Sequence, residues 1–183
     1  MACDRALLTR HEAGHVAGLV LSGRVPARVG ADWPFEAVQG VTTLDFSDDG
    51  INPDSARDFM LMILLGPLAE ERPGWPPEWP LDRNSESRDA QQLAVLADYL
   101  GLDEEGWVSL VRQAEETAAG AGFKQMVNLI ASALEKLDEL DSEQVRFLIG
   151  PEVCRRYDIE PAKELTTNAA KTGGLGRNDH GCR

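Results

Sequence analysis

Five residues, His11-Glu12-Ala13-Gly14-His15, hold the clearest chemistry in the chain. Two imidazoles four residues apart stack on one face of a helix, so both can reach one ion. Neutral imidazole is a good zinc ligand, and zinc favours four-coordinate sites. Glu12 directly follows His11. From there it can take a proton from a zinc-bound water, whose pKa the metal lowers toward about 7. The H-E-x-x-H pattern thus encodes a hydrolytic mechanism in five residues. The small Ala13 and Gly14 let neighbouring backbone pack close. A competing reading makes His11 and His15 ordinary, partly exposed helix residues. The remaining histidine, His180, lies with Cys182 in a glycine-rich tail and is read as idle.

A catalytic zinc also needs a third protein ligand and an open position. Asp and Glu together number 31, so spacing alone does not choose that ligand. A second candidate feature is the stretch 73–80, with four prolines and two tryptophans. It cannot be a helix interior. Trp75 and Trp79 are candidates to line a substrate groove, since aromatic rings on a proline-stiffened loop suit peptide contact. The simpler alternative is that they pin the loop to the core.

The elements that must position these groups are mostly helical. Residues 4–22 read as one helix, with Asp4 as its cap and Gly23 as its end. Leu8, Glu12, His15 and Leu19 share one face, and Leu7, His11 and Gly14 lie beside them. Residues 24–46 carry Val25, Val29, Val38, Val41 and Leu44 between Pro, Gly and Trp, which predicts two or three short strands. Asp48-Asp49-Gly50 marks a turn. A second long helix is expected from Asp54 to Arg72, and a third from a Ser87 cap to Leu100. Further helices are expected over Glu104–Ala119, Phe123–Leu140 and Ser142–Ile149. The tail from about residue 160 loses periodicity and reads as disordered. The expected fold is mainly α with a small β element, as one domain over residues 1–159.

Bulk composition narrows the function. A net charge of -13 opposes binding to nucleic acid, whose phosphates need a basic footprint. It equally opposes an anionic membrane surface. The longest apolar run, Phe59 to Leu65, is too short to span a bilayer. No secretory leader is recognisable. Three scattered cysteines do not form a disulfide framework. A cytoplasmic setting is expected.

Four segments occur in an order that resembles the peptidase domain of the FtsH family of zinc metallopeptidases. They are HEAGH (11–15), Gly40-Val41-Thr42, LLGPLAEE (64–71) and SRDAQQLAVLA (87–97). The resemblance covers about residues 4–102, with a helical part following over 103–159. It implies a zincin-like helical metallopeptidase domain with bound zinc. In that family the third ligand comes from a Ser-Asn-Asp segment opening a helix, which Ser87-Arg88-Asp89 resembles. The implied ligands are therefore His11, His15 and Asp89, with Glu12 as general base. Glu86 and Asp82 are the substitutes for Asp89. Glu70 is a candidate to hydrogen-bond a ligand histidine. Pro67 and Leu68 depart from the family's small residues, and the insert at 73–80 has no counterpart. The ATPase module and membrane anchor of the family are not seen, nor is a G-x-x-x-x-G-K-[ST] loop. The expected activity is ATP-independent hydrolysis of peptides or unfolded protein segments. The alternative is a metal-binding regulatory or interaction module on the same fold with little turnover.

Overall fold

The computed structural model describes residues 5–30 and 53–162. Within them lie six helices and a two-stranded sheet. In chain order these are α1 (Arg5–Leu21), β1 (Arg28–Gly30), α2 (Pro53–Ala69), α3 (Arg88–Leu100), α4 (Glu104–Ala119), α5 (Ala121–Leu137), β2 (Glu139–Asp141) and α6 (Ser142–Arg156). The Asp4 cap, the strands expected beyond Gly30, the Asp48-Gly50 turn, Gly40-Val41-Thr42 and the tail from residue 163 lie outside the described residues. No described helix is long and apolar enough to cross a membrane.

Helix α1 ends where expected. Gly23 takes φ +74°, and the Gly23 and Arg24 N–H groups close back on the Val20 and Leu19 carbonyls. Helix α3 ends the same way at Gly101, whose φ is +59°. Helix α6 opens with a capping box in which Asp141 and Gln144 bond reciprocally, each at 2.8 Å. At Gly150 the backbone leaves helical angles (φ 79°, ψ 161°), so the expected end at Ile149 is a break, and helical structure resumes to Arg156.

Three boundaries differ from expectation. Helix α2 stops at Ala69, not Arg72. Glu71 adopts φ +56°, and the Glu71 and Arg72 N–H groups return to the Leu68 and Pro67 carbonyls. This is a glycine-type helix stop built on a glutamate, which gives no sequence signal. Helix α5 stops at Leu137 because Asp138 turns left-handed at φ +62°. The next three residues form β2, paired antiparallel with β1 in the register Arg28↔Asp141, Val29↔Leu140, Gly30↔Glu139. The described strand between the first two long helices therefore pairs with a distant segment that reads as helix. Ser87 sits at the cap position of α3, but its hydroxyl makes no cap hydrogen bond.

Two apolar clusters fill the interior. One gathers α1, α5, α6 and both strands around Val16, Ile130, Leu134, Leu140 and Val145. The other gathers α2, α3 and α4 around Met60, Ile63, Leu93, Trp107 and Leu110. Helix α1 crosses α2 very closely where it carries the histidines. A Cβ on Gly14 would lie 2.5 Å from the Leu65 carbonyl oxygen and 2.8 Å from the Gly66 Cα, and one on Gly18 would lie 3.0 Å from the Met62 Cα. Glycine is required at this crossing because backbone occupies the space a side chain would need.

Candidate metal centre

His11 and His15 project from the α1 face that meets α2, and their ring centroids lie 4.5 Å apart in an edge-on arrangement. They are not ordinary helix-surface residues: their side chains are 14% and 6% exposed. Asp89, in the first turn of α3, completes the cluster. Its Oδ2 lies 3.3 Å from His11 Nε2, and its Oδ1 lies 4.0 Å from His15 Nε2. The two Nε2 atoms are 2.9 Å apart. Two zinc–ligand bonds of about 2 Å at a tetrahedral angle separate the donor atoms by about 3.3 Å. The three donor atoms lie within 4.8 Å of one another. The residues therefore fit a single small cation.

The second nitrogen of each ring decides what the first can do. His15 Nδ1 is 3.0 Å from the Met62 carbonyl oxygen, which can only accept, so Nδ1 carries the hydrogen. His11 Nδ1 faces Glu70 Oε1 at 3.4 Å, again an acceptor. With both rings neutral, each Nε2 lone pair turns inward to face the other and the Asp89 carboxylate. Three acceptors then converge on one point, an arrangement that a shared proton or a small cation between them satisfies.

The titration of the side chains alone reflects the same demand. Burial opposes charge on His11, but the hydrogen bonds to Asp89 and then Glu70 outweigh it, raising its pKa to about 10. A proton thus takes the cation's place. Burial, and then the charge on His11, push His15 below its usual value. Burial alone would raise Asp89, but the His11 hydrogen bond and the charges of His15, His11 and Arg72 hold it below the usual carboxylate range. Glu12 is 2% exposed, and chiefly its burial lifts its pKa to about 8. It is electrostatically coupled to His11, Asp89 and Glu70.

Gly66 gives His15 its seat. A Cβ there would lie 2.3 to 2.7 Å from three atoms of the imidazole ring. Arg10, next to His11, ties α1 to the end of α2 through the Ala69 carbonyl at 3.2 Å and to Asn128 of α5 at 3.2 Å.

The other sequence candidates are placed as follows. Glu70 Oε1 stands 3.4 Å from His11 Nδ1 and is only partly exposed. Asp82 and Glu86 are exposed and are not among the clustered donors. The indole N–H of Trp75 donates to the Leu64 carbonyl at 3.1 Å, and Trp75 and Trp79 both pack against the cluster of α2, α3 and α4. These contacts anchor the 73–80 loop to the core. The Met62 carbonyl and Gly66 were not singled out from the sequence. A backbone carbonyl has no sequence signal, and Gly66 reads simply as part of a helix end. Comparison with models of known protein families, with curated proteins and with solved structures finds no match for this chain.

Proposed function

We propose that this chain is a zinc-dependent metallopeptidase that hydrolyses peptide bonds in peptides or unfolded protein segments without ATP. The observation that carries this reading is the convergence of His11 Nε2, His15 Nε2 and the Asp89 carboxylate, with both histidine tautomers set from behind. Three protein ligands leave a tetrahedral ion one open position, the hallmark of catalytic rather than structural zinc. The HEAGH helix, the LLGPLAEE helix end and the Ser87-Arg88-Asp89 helix start supply those groups in the order of the FtsH-like peptidases, which supports a zincin-like domain. A cytoplasmic setting suits a chain whose described cysteine, Cys154, is a buried free thiol.

A zinc ion held by His11, His15 and Asp89 would supply a Lewis acid able to polarise a carbonyl and acidify a water. Glu12 takes a proton from the attacking water as the water oxygen bonds to the carbonyl carbon. Glu12 then returns the proton to the amide nitrogen as the C–N bond breaks. Among the described residues no side chain hydrogen-bonds the Glu12 carboxylate, so it is free to carry that proton. Glu70 and the Met62 carbonyl hold the imidazoles in the ligating tautomer throughout.

The test is Glu12→Gln. Gln keeps the shape and the hydrogen bonding but accepts no proton. Zinc content, read by elemental analysis, should stay near one per chain. Peptide cleavage should fall about a hundred- to ten-thousand-fold. Cleavage that survives in the zinc-loaded variant removes the mechanism. A wild-type protein that holds zinc and cleaves nothing points to the binding-module alternative.

A further inference from the structure

A groove of about 650 Å³ lies between α5 and the break in α6, and none of the centre's residues lines it. Its floor is apolar. Phe123, Met126 and Leu129 form the α5 side, and Ile149, Val153 and Tyr157 form the other. Phe123, Met126 and Ile149 belong to the buried cluster that also holds α1, so core backs the floor. Leu129 is 41% exposed. Two glycines leave the walls bare. Gly150 sits at the break in α6, and Pro151, which has no N–H to return to the preceding turn, follows it. Gly122 belongs to the opposite wall. A Cβ on either glycine would meet nothing within 4 Å.

The charge around the groove runs against that of the whole chain. Arg155, Arg156 and Glu152 line it, and Lys124 lines an adjoining groove that shares Gln125 and Leu129. Arg156 reaches Glu152 only at 4.0 Å, with both side chains well exposed, so the pair is weak. The Arg155 guanidinium has no partner among the described residues. Cations thus outnumber acids beside this apolar floor, in a chain whose net charge is -13. Such a local field draws an anion to a surface that elsewhere repels it.

We propose that this groove binds a medium-chain fatty acid, with its alkyl chain along the Phe123–Leu129 face of α5 and its carboxylate taken by Arg155 and Arg156. The volume falls within the roughly 300–1,000 Å³ of small-molecule sites. From Gly122 to Leu129 the helix rises about 10 Å, the reach of a medium alkyl chain rather than of a partner helix. A guanidinium fork takes a carboxylate through two parallel hydrogen bonds. The inference does not depend on the peptidase reading.

Calorimetric titration of the full chain tests it, with decanoate, decanol and decyltrimethylammonium as probes, each below its micelle concentration. Decanoate should saturate at one per chain and bind about ten-fold tighter than decanol, the margin of one charge-assisted contact. The double variant Arg155→Gln/Arg156→Gln should erase that margin and leave decanol binding unchanged. Gly122→Leu fills the open wall and should weaken both decanoate and decanol without lowering the melting temperature, since Leu is the better helix former. Leu129→Gln, at an exposed position, should weaken both as well. Absence of saturation, decanoate no tighter than decanol or the cation, or affinity unchanged in both Gly122→Leu and Leu129→Gln overturns the proposal. So does binding that a zinc chelator abolishes, since the carboxylate would then sit at the metal centre. Decanoate-driven tryptic cleavage after Lys171 or Arg177 would assign the groove to the chain's own tail. Decanoate-driven loss of a dimer on size exclusion would assign it to a second copy. Either result also overturns the proposal.

Discussion

His15 has almost no freedom. The Met62 carbonyl holds Nδ1 from one side, and the bare α-carbon of Gly66 lies under the ring. Gly66→Ala forces the imidazole off this seat, so zinc content should drop well below one per chain even in protein that remains helical by circular dichroism. Full zinc occupancy in that variant would contradict the assigned seat. The protonation of the neighbouring groups sets a second expectation. The His11 pKa is raised to about 10 from 6.5, and the Glu12 pKa to about 8 from 4.5. A group with a raised folded pKa contributes stability that is complete below its unfolded pKa and lost as pH rises through the folded one. Both groups act in that direction, so the chelator-treated protein should melt progressively lower as pH rises from about 4.5 to about 10. Zinc, if bound by His11, should reverse the trend near neutrality, because ligation requires a neutral imidazole. Calorimetry across this range, with and without zinc, checks the sign. At this scale the sequence showed the site unevenly. His11, Glu12 and His15 announce themselves because four-residue spacing is itself a geometry. Asp89 sits 74 residues beyond His15, and only the family resemblance pointed to it, because no local pattern encodes a contact between helices.

At the scale of elements, the α1–α2 crossing brings the histidines onto the backbone of α2. Gly14→Ala would place a methyl 2.5 Å from the Leu65 carbonyl oxygen and 2.7 Å from the Ala69 Cβ. Overpacking of this kind costs about 1–3 kcal/mol, which for a chain of this size lowers the melting temperature by roughly 3–10 °C. Gly122→Ala is the control. Nothing lies within 4 Å of its added Cβ, so this variant should match or exceed the parent in stability. Equal melting of the two variants would remove the close-crossing account. The helices themselves were readable because their apolar stripes persist over several turns, as in Phe123, Met126, Ile130 and Leu134. The short β2 was not. Leu140 continues the helical stripe of α5 and equally satisfies a three-residue alternation, and the left-handed turn at Asp138 decides between them. The stop of α2 was hidden for a related reason, since Glu71 does what glycine ordinarily does.

Across the whole molecule, the proposed centre spans a seam. Its ligands come from α1, which belongs mainly to one apolar cluster, and from α3, which belongs to the other. An ion shared between them ties the two clusters together. Free zinc at a hundred times its dissociation constant should therefore raise stability by about 2.7 kcal/mol, or roughly 5–10 °C in melting temperature. The gain should vanish in His15→Ala. A zinc-independent melting curve for the parent chain would mean that no ion bridges the seam.

The two short strands have a consequence for how the chain reaches this state. Arg28 and Glu139, which flank their pairing, are 111 residues apart in sequence. Closing so long a loop carries an entropic penalty that three paired residues do not repay by themselves. Helices α4 and α5, by contrast, pack together and are joined through Gly120 alone, so they can meet early. The sheet is then a latch rather than a nucleus, closing after the helices have brought Val29 and Leu140 together. A latch that closes late also opens first. Local unfolding should start at this strand pair and expose its backbone amides to exchange before those of the helix interiors.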